Sequence, residues 1–292
     1  MRRFVLPRTI KANRGDLASR WSLLDALSRK GINDSIVFVR TTEDVPKHVK
    51  NSILYGYLHN AFPSIKGWKE LCKSDVVLWG VGLDMQDDSS LMKLIYLLVL
   101  FRLYRLLDLE IWVLFQGAGP IETKPGRYLA KQVLKCVSVF AARDTKTLAP
   151  VKSLSPQSTT YLGHDAIFFA GLEDNLEEVS DTEQRWLSGL FKEEAMFVGF
   201  NIRQWFHFSS SILPYQFSKQ QYQTRSQRKM QELLIASCKT IRFLRDEYDA
   251  NVLLISAYQP EIEPWEDDLQ WLELLKRNFL NDDNVVLIDK SL

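Results

Sequence analysis

Cysteine is nearly missing: the 292-residue chain has three, Cys72, Cys136 and Cys238, far apart in sequence. That spacing excludes a disulfide framework and a zinc ribbon, and reads as buried free thiols in a reducing compartment. No metal site can be read from the chain. Charge of one sign is missing too, since the formal net charge is +1. Nothing global therefore draws the chain to nucleic acid or to an anionic membrane, and an anionic ligand has to be met locally. Long hydrophobic runs are also missing. The most apolar segment, Leu91 to Leu107, is interrupted by Lys93, Arg102 and Arg105 and falls short of the roughly 20 residues of a membrane span. It reads as a buried or surface-docked helix. The amino terminus starts with positive charge, but Arg8 and Lys11 follow before any long apolar stretch. No export signal is therefore expected, and the cytoplasm is the expected location.

What is present suits a folded protein. Hydrophobic residues make up 46% and charged residues 25% of the chain, which excludes a mainly disordered polypeptide. The length suits two domains of roughly 100 to 200 residues each, with a cleft between them. In the first half, strand-like runs alternate with amphipathic stretches, the pattern of βαβ units and a parallel sheet. Strands are predicted at residues 3–10, 35–40, 75–79, 110–115, 137–141 and 159–162. Helices are predicted at 17–30, with Asp16 as its amino-terminal cap, at 89–107 and at 123–135. Residues 43–68 look irregular. An acidic, polar segment from Leu172 to Glu183 reads as a linker. The alternation then restarts with strands at 196–202, 251–257 and 284–288 and helices at 226–248 and 265–279. The expected organisation is a first domain over residues 1–172, a linker with a first helix over 173–194, and a second domain over 195–292. With three strand candidates, that second domain is expected to be incomplete.

Five polar or glycine-bearing segments fall where predicted strands break off. Ligands of open parallel sheets bind outside the carboxyl ends of the strands, so the series reads as the rim of one site. Asn13-Arg14-Gly15-Asp16 opens the first helix, where free N–H groups favour an anion or a polar ligand edge; Gly15 would allow a tight turn. A dinucleotide-binding G-x-G-x-x-G pattern is absent from this loop. Gly80-Val81-Gly82 and Gln116-Gly117-Ala118-Gly119-Pro120 end two strands, and their glycines either bring backbone amides to a ligand or simply permit sharp turns. Arg143-Asp144 reads as a site pair, a salt bridge or a helix cap. His164-Asp165 closes the last strand of the first domain, and a lone histidine is more often structural than catalytic. Asn201-Ile202-Arg203 ends the first strand of the second domain, where the guanidinium fork of Arg203 suits phosphate or carboxylate.

Taken in order, N-x-G-D, S-D-V-V-L-W-G-x-G, Q-G-x-G-P, the R-D pair, the H-D pair and N-I-R-x-W resemble the polysaccharide pyruvyl transferase family over nearly the whole chain. The resemblance implies an α/β fold of two Rossmann-like domains whose parallel sheets face a cleft, GT-B-like, with an acceptor-side first domain and a donor-side second domain. It implies phosphoenolpyruvate as donor substrate, no separate cofactor, and a carbohydrate acceptor converted to a pyruvate ketal. Carried over residue by residue, Arg203 would hold the donor phosphate or carboxylate, and Asp16 would be a candidate base. Asn13 and Gly15 would lie on the acceptor rim, and Gln116, Gly117 and Gly119 would line the cleft floor. Gly80, Gly82, Arg143, His164, Asp165 and Asn201 complete the substrate-binding set. The chain departs from the family pattern at Val81, where a further glycine is common. It also lacks a later arginine- and histidine-bearing loop that would supply the general acid, so this chain alone is expected to be inactive. Two other readings remain open: a nucleotide-sugar glycosyltransferase of the same architecture, and a non-catalytic glycan-binding member of the fold.

Overall fold

The structure, a computed structural model, describes residues 2–10, 14–32, 35–39, 52–55, 57–58, 62–87, 90–169, 196–203, 219–257 and 268–288. It divides into two compact units, one centred on Gly15–Ala170 and one on Lys219–Leu292 together with the strand at 197–200. The predicted linker lies outside the described residues.

In the first unit the strands are β1 (Phe4–Leu6), β2 (Ile36–Val39), β3 (Ser52–Tyr55), β4 (Tyr57–Leu58), β5 (Phe62–Pro63), β6 (Val76–Gly80), β7 (Leu83–Met85), β8 (Glu110–Ala118), β9 (Val139–Ala142) and β10 (Thr159–Leu162). The helices are α1 (Arg14–Arg29), α2 (Ile65–Leu71), α3 (Leu91–Leu106), α4 (Lys124–Leu134) and α5 (Thr145–Leu154). Strand order in the main sheet is β3-β2-β1-β6-β8-β9-β10, with β7 beside β8. Its pairings are parallel. The order runs outward from β1 in both directions, so the sheet has a switch point between β1 and β6, where ligands of doubly wound sheets bind.

Alternation along the strands explains the layering. Val77, Trp79, Ile111 and Val113 face a cluster with Leu94, Leu97, Leu100, Phe101 and Tyr104 of α3 and with Ala130 and Val133 of α4. Val76, Leu78, Trp112 and Leu114 face the other way, against Leu17, Trp21, Leu24 and Leu27 of α1. Burial of each large apolar side chain contributes about 1.5–3 kcal/mol, so a one-residue slip of any central strand would exchange both layers at once. Thr123 and Asp144 cap α4 and α5 by accepting hydrogen bonds from Gly126 N and Thr147 N.

Several expectations need correction. Residues 43–68 are not wholly irregular, since β3 pairs in register with β2. Helix α5 and strand β7 were not expected. Asp16 does not cap α1: the helix starts at Arg14, which puts Asp16 in its first turn and Gly15 inside the helix rather than in a tight turn. Cys72 is exposed, and Cys136 and Cys238 are half-buried, so the free thiols are not buried as a set.

The second unit contains β11 (Phe197–Phe200), α6 (Lys219–Tyr248), β12 (Asn251–Ile255), α7 (Leu269–Lys276) and β13 (Val285–Ile288). Its sheet is parallel in the order β11-β12-β13. Ile202, Ile241, Val252, Leu254, Leu272, Leu275 and Val285 form the core. Among the described residues, no helix is long and apolar enough to cross a membrane.

Candidate functional site

At the switch point, the chain leaving β1 carries Arg8 and the chain leaving β6 carries Gly82 and Asp84. Arg8 grips Asp84 with two hydrogen bonds, Nε to Oδ2 at 2.6 Å and Nη2 to Oδ1 at 3.2 Å. Asp84 also accepts from Trp79 Nε1 at 3.1 Å and Gln116 Nε2 at 2.7 Å. Lys93, in the first turn of α3, lies 3.2 Å from Asp84 Oδ1 and donates to Leu83 O at 2.7 Å. Burial alone would push the Asp84 carboxyl up, but the charges of Arg8 and Lys93 outweigh it and hold that carboxyl well below the usual carboxylate range. Removing a charge from water is costly unless partners surround it, and here five donor contacts do.

Gly82 explains how the pieces fit. It adopts φ +84°, and a Cβ there would lie 2.7 Å from Arg8 Nη2 and 3.0 Å from Asp16 Oδ2. The guanidinium and the Asp16 carboxylate, 3.7 Å apart, therefore lie against bare backbone. Val81 before it is also left-handed, with φ 57°, which is uncommon for a β-branched residue. A glycine at this position would adopt that backbone freely. Val81 is instead fixed by burial against Ile10, Leu23 and Ala166.

A bulge in β8 completes the cluster. Register with β9 shifts between Leu114 and Gln116, and Phe115 has φ 52°. Leu114 and Phe115 consequently both pack on the α1 side, which turns Gln116 to the side of Trp79 and Asp84. Gln116 is 1% exposed, and its amide supports the loop from within by donating to Asp84.

Gly117 ties the two glycine loops together by donating to Gly82 O at 2.9 Å. A Cβ on Gly117 would come within 3.0 Å of Arg143 Nε, so the arginine crosses the loop at close range. Arg143 pairs with Asp144 at 3.4 Å and Asp165 at 3.6 Å, and Ser19 of α1 donates to Asp165 at 2.8 Å. Beside this group opens a cavity of ≈ 570 Å³. Gly117, Gly119, Pro120, Leu83 and Leu154 supply part of its wall, and Arg127, Arg143, Lys146 and Asp144 bring the charge.

The structure thus brings together Asp16, Gly80, Gly82, Gln116, Gly117, Gly119, Arg143 and Asp165. His164 is exposed and its side chain has no hydrogen-bond partner among the described residues. Asn13 lies outside them. In the second unit, Asn201 donates to Ile255 O and, at 2.9 Å, to Asp268 Oδ2, and Arg203 is half-buried just beyond β11. Sequence reasoning missed Arg8, Asp84, Lys93, Arg127 and Lys146. Asp84 stands four residues beyond the end of β6, a signal that was available; its pairing with Arg8 across 76 positions was not. Among the described residues no group of three or more His, Cys, Asp or Glu could hold a metal ion.

A profile of the family described as polysaccharide pyruvyl transferase matches residues 13–278. The chain belongs to that family. The matched range takes in all five strand-end segments of the first unit and the Asn201–Arg203 segment of the second. A search of curated proteins gives no match. Among solved structures, Alr3699/HepE of Anabaena, determined in complex with UDP and glucose, aligns with 99% of this chain and 69% of its own, at 10% identity and a TM-score of 0.51. The UDP-N-acetylglucosamine 2-epimerase of Rickettsia bellii aligns over the same shares at 10% identity, with a TM-score of 0.43. At that identity the Anabaena likeness speaks for the fold alone, which is α/β with parallel sheets and GT-B-like.

Proposed function

We propose that the chain forms part of an enzyme that moves the enolpyruvyl group of phosphoenolpyruvate onto a sugar of a polysaccharide or glycolipid precursor, forming a pyruvate ketal and releasing phosphate. The family match across residues 13–278 carries this reading. The first unit supports it with a carboxylate, Asp16, set 3.7 Å from Arg8 on a sheet switch point where ligands of such folds bind.

Protonation of the enol carbon creates a methyl group and an oxocarbenium-like centre. A sugar hydroxyl adds to that centre and gives up its proton. Phosphate then leaves with the C–O electron pair, and a second hydroxyl adds and loses its proton, which closes the ketal. In this reading Asp16 accepts a hydroxyl proton, and the acceptor approaches it along the rim that Asn13 and Gly15 would form. Arg203 takes the phosphate or carboxylate of the donor, a role its planar fork suits. Phosphoenolpyruvate enters as a substrate and no resident cofactor is invoked. The three free cysteines suit a reducing cytoplasm.

Incubation with phosphoenolpyruvate and candidate glycans should release phosphate only when an acceptor is present, and Arg203→Ala should weaken donor binding by about tenfold or more, as loss of a charge-assisted contact does. No release with any acceptor, together with unchanged donor binding in the variant, overturns the proposal. Thermal stabilisation by UDP- or GDP-sugars but not by phosphoenolpyruvate would make the chain a nucleotide-sugar glycosyltransferase instead.

A further inference from the structure

We propose that the cavity beside Gly117 and Arg143 is an acceptor subsite for a sugar carried on a phosphate ester. This deepens the pyruvyl-transfer reading and rests on it for the word acceptor. The volume, ≈ 570 Å³, falls in the range of about 300–1,000 Å³ usual for small-ligand sites. Three cations line it, Arg127, Arg143 and Lys146, against one carboxylate, Asp144.

That carboxylate is already engaged. Asp144 accepts from Thr147 N at 2.7 Å as the cap of α5 and pairs with Arg143 at 3.4 Å. Its partial burial would raise its pKa, but the hydrogen bonds from Thr147 and the charge of Arg143 hold it below the usual range. Arg143 is in turn braced by Asp165, 3.6 Å away, and kept at the loop surface because Gly117 has no side chain. Among the described residues Arg127 and Lys146 have no such neutralising neighbour. Arg127 makes one long hydrogen bond, Nε to Ile121 O at 3.3 Å, and the Lys146 ammonium has no side-chain partner among the described residues. Two uncompensated cations beside a third that is rigidly held favour a ligand with more than one negative charge. A guanidinium pair grips phosphate in two-point fashion where a single ammonium acts as a point charge. The apolar wall of Leu83, Pro120 and Leu154 leaves the rest of the cavity for the less polar face of a sugar ring.

Calorimetric titration of the full chain tests the assignment, with methyl glucoside as the uncharged control. Glucose 1-phosphate, UDP-glucose and farnesyl-diphosphate-linked glucose represent free, nucleotide-borne and lipid-borne phosphate. At least one phosphate-bearing ligand should bind about tenfold or more tighter than methyl glucoside, an advantage typical of charge-assisted contacts, and the tightest of the three identifies the source. Arg127→Ala/Lys146→Ala should remove most of that advantage. Both side chains are exposed, so the variant is expected to fold, and a melting curve checks it; Lys146→Glu gives an independent second reading in the same direction. Equal binding of charged and uncharged sugars, or an advantage that survives both variants, overturns the subsite. The titrations contain no phosphoenolpyruvate. Phosphate preference without transfer therefore sinks the transfer reading, and transfer without phosphate preference sinks this subsite.

Discussion

Each unit buries a carboxylate that ties its strand ends together, Asp84 in the first and Asp268 in the second, and the two are satisfied by different means; the first also buries Asp87, which accepts from Glu122 N, Thr123 N and Thr123 Oγ1. In the first, Asp84 is held by two cations as well as by the indole of Trp79 and the amide of Gln116. In the second, Asp268 is fully buried and surrounded by neutral donors, with Ser256 Oγ at 2.7 Å, Ala257 N at 2.8 Å and Asn201 Nδ2 at 2.9 Å. The first arrangement joins β1, β6, α3 and β8 around the switch point. The second sews β11 and β12 to the start of α7 in a sheet whose described strands have no switch point. At the switch point of the first sheet the carboxylate is met by charge, and in the second sheet neutral hydrogen bonds tie the strand ends together.

Removal of the two carboxylates should separate these cases. Asp84→Ala leaves Lys93 without its anion and Arg8 with only the more distant Asp16, so the first unit should lose about 3–5 kcal/mol, the cost of breaking a buried pair from one side. Denaturant unfolding measures it. The same carboxylate gives a pH signature. Its folded pKa is depressed, so its contribution is fully present above the ordinary carboxylate value of about 3.9 and declines as pH falls from there toward the lower folded value. The acid-side slope of stability should therefore be shallower in Asp84→Asn than in the unmodified chain, and an equal slope would break the comparison.

Asp268→Ala strands neutral donors instead, each costing about 1–3 kcal/mol when left buried and unpaired. The expected loss is about 2–3 kcal/mol, smaller than at Asp84, because water reaches Asn201 at the surface. A loss as large as that of Asp84→Ala would show that charge is not what distinguishes the two units.

The smallest effect concerns Val81. At an ordinary buried strand position glycine costs about 0.5–1 kcal/mol beyond alanine, as Val77→Gly against Val77→Ala should show. At Val81 the left-handed backbone offsets that difference, so Val81→Gly should be no less stable than Val81→Ala. A normal penalty at both positions would mean that the loop does not depend on this conformation.

Much of the fold was legible because alternation and amphipathic spacing are local: β10 matches its predicted range, and β2 and β9 fall within a residue or two of theirs. The failures have identifiable physical causes. Helix α5 contains Pro150, which interrupts the helical pattern, and its Asp144 cap and the burial of Val151 sustain it. Strand β3 exists through its pairing with β2 rather than through a pattern of its own. Asp16 looked like a cap because its residue type suits one, yet the helix begins two residues earlier and frees the carboxylate to face Arg8. At the site, the glycines were readable as points of close approach and Asp84 by its place just beyond a strand end, whereas its pairing with Arg8 and Lys93 was not, since a buried ion pair leaves no mark on the residues around either member.

The bulge at Phe115 works as a phase shift. Along its first five residues β8 lends apolar side chains alternately to the two helical layers; one extra residue then resets the count, and a polar amide arrives on the inner side where strict alternation would have sent it toward α1. A single residue out of step lets one strand be wall along most of its length and then turn its amide to the buried ion pair at its end, without any second segment of chain being recruited to the task.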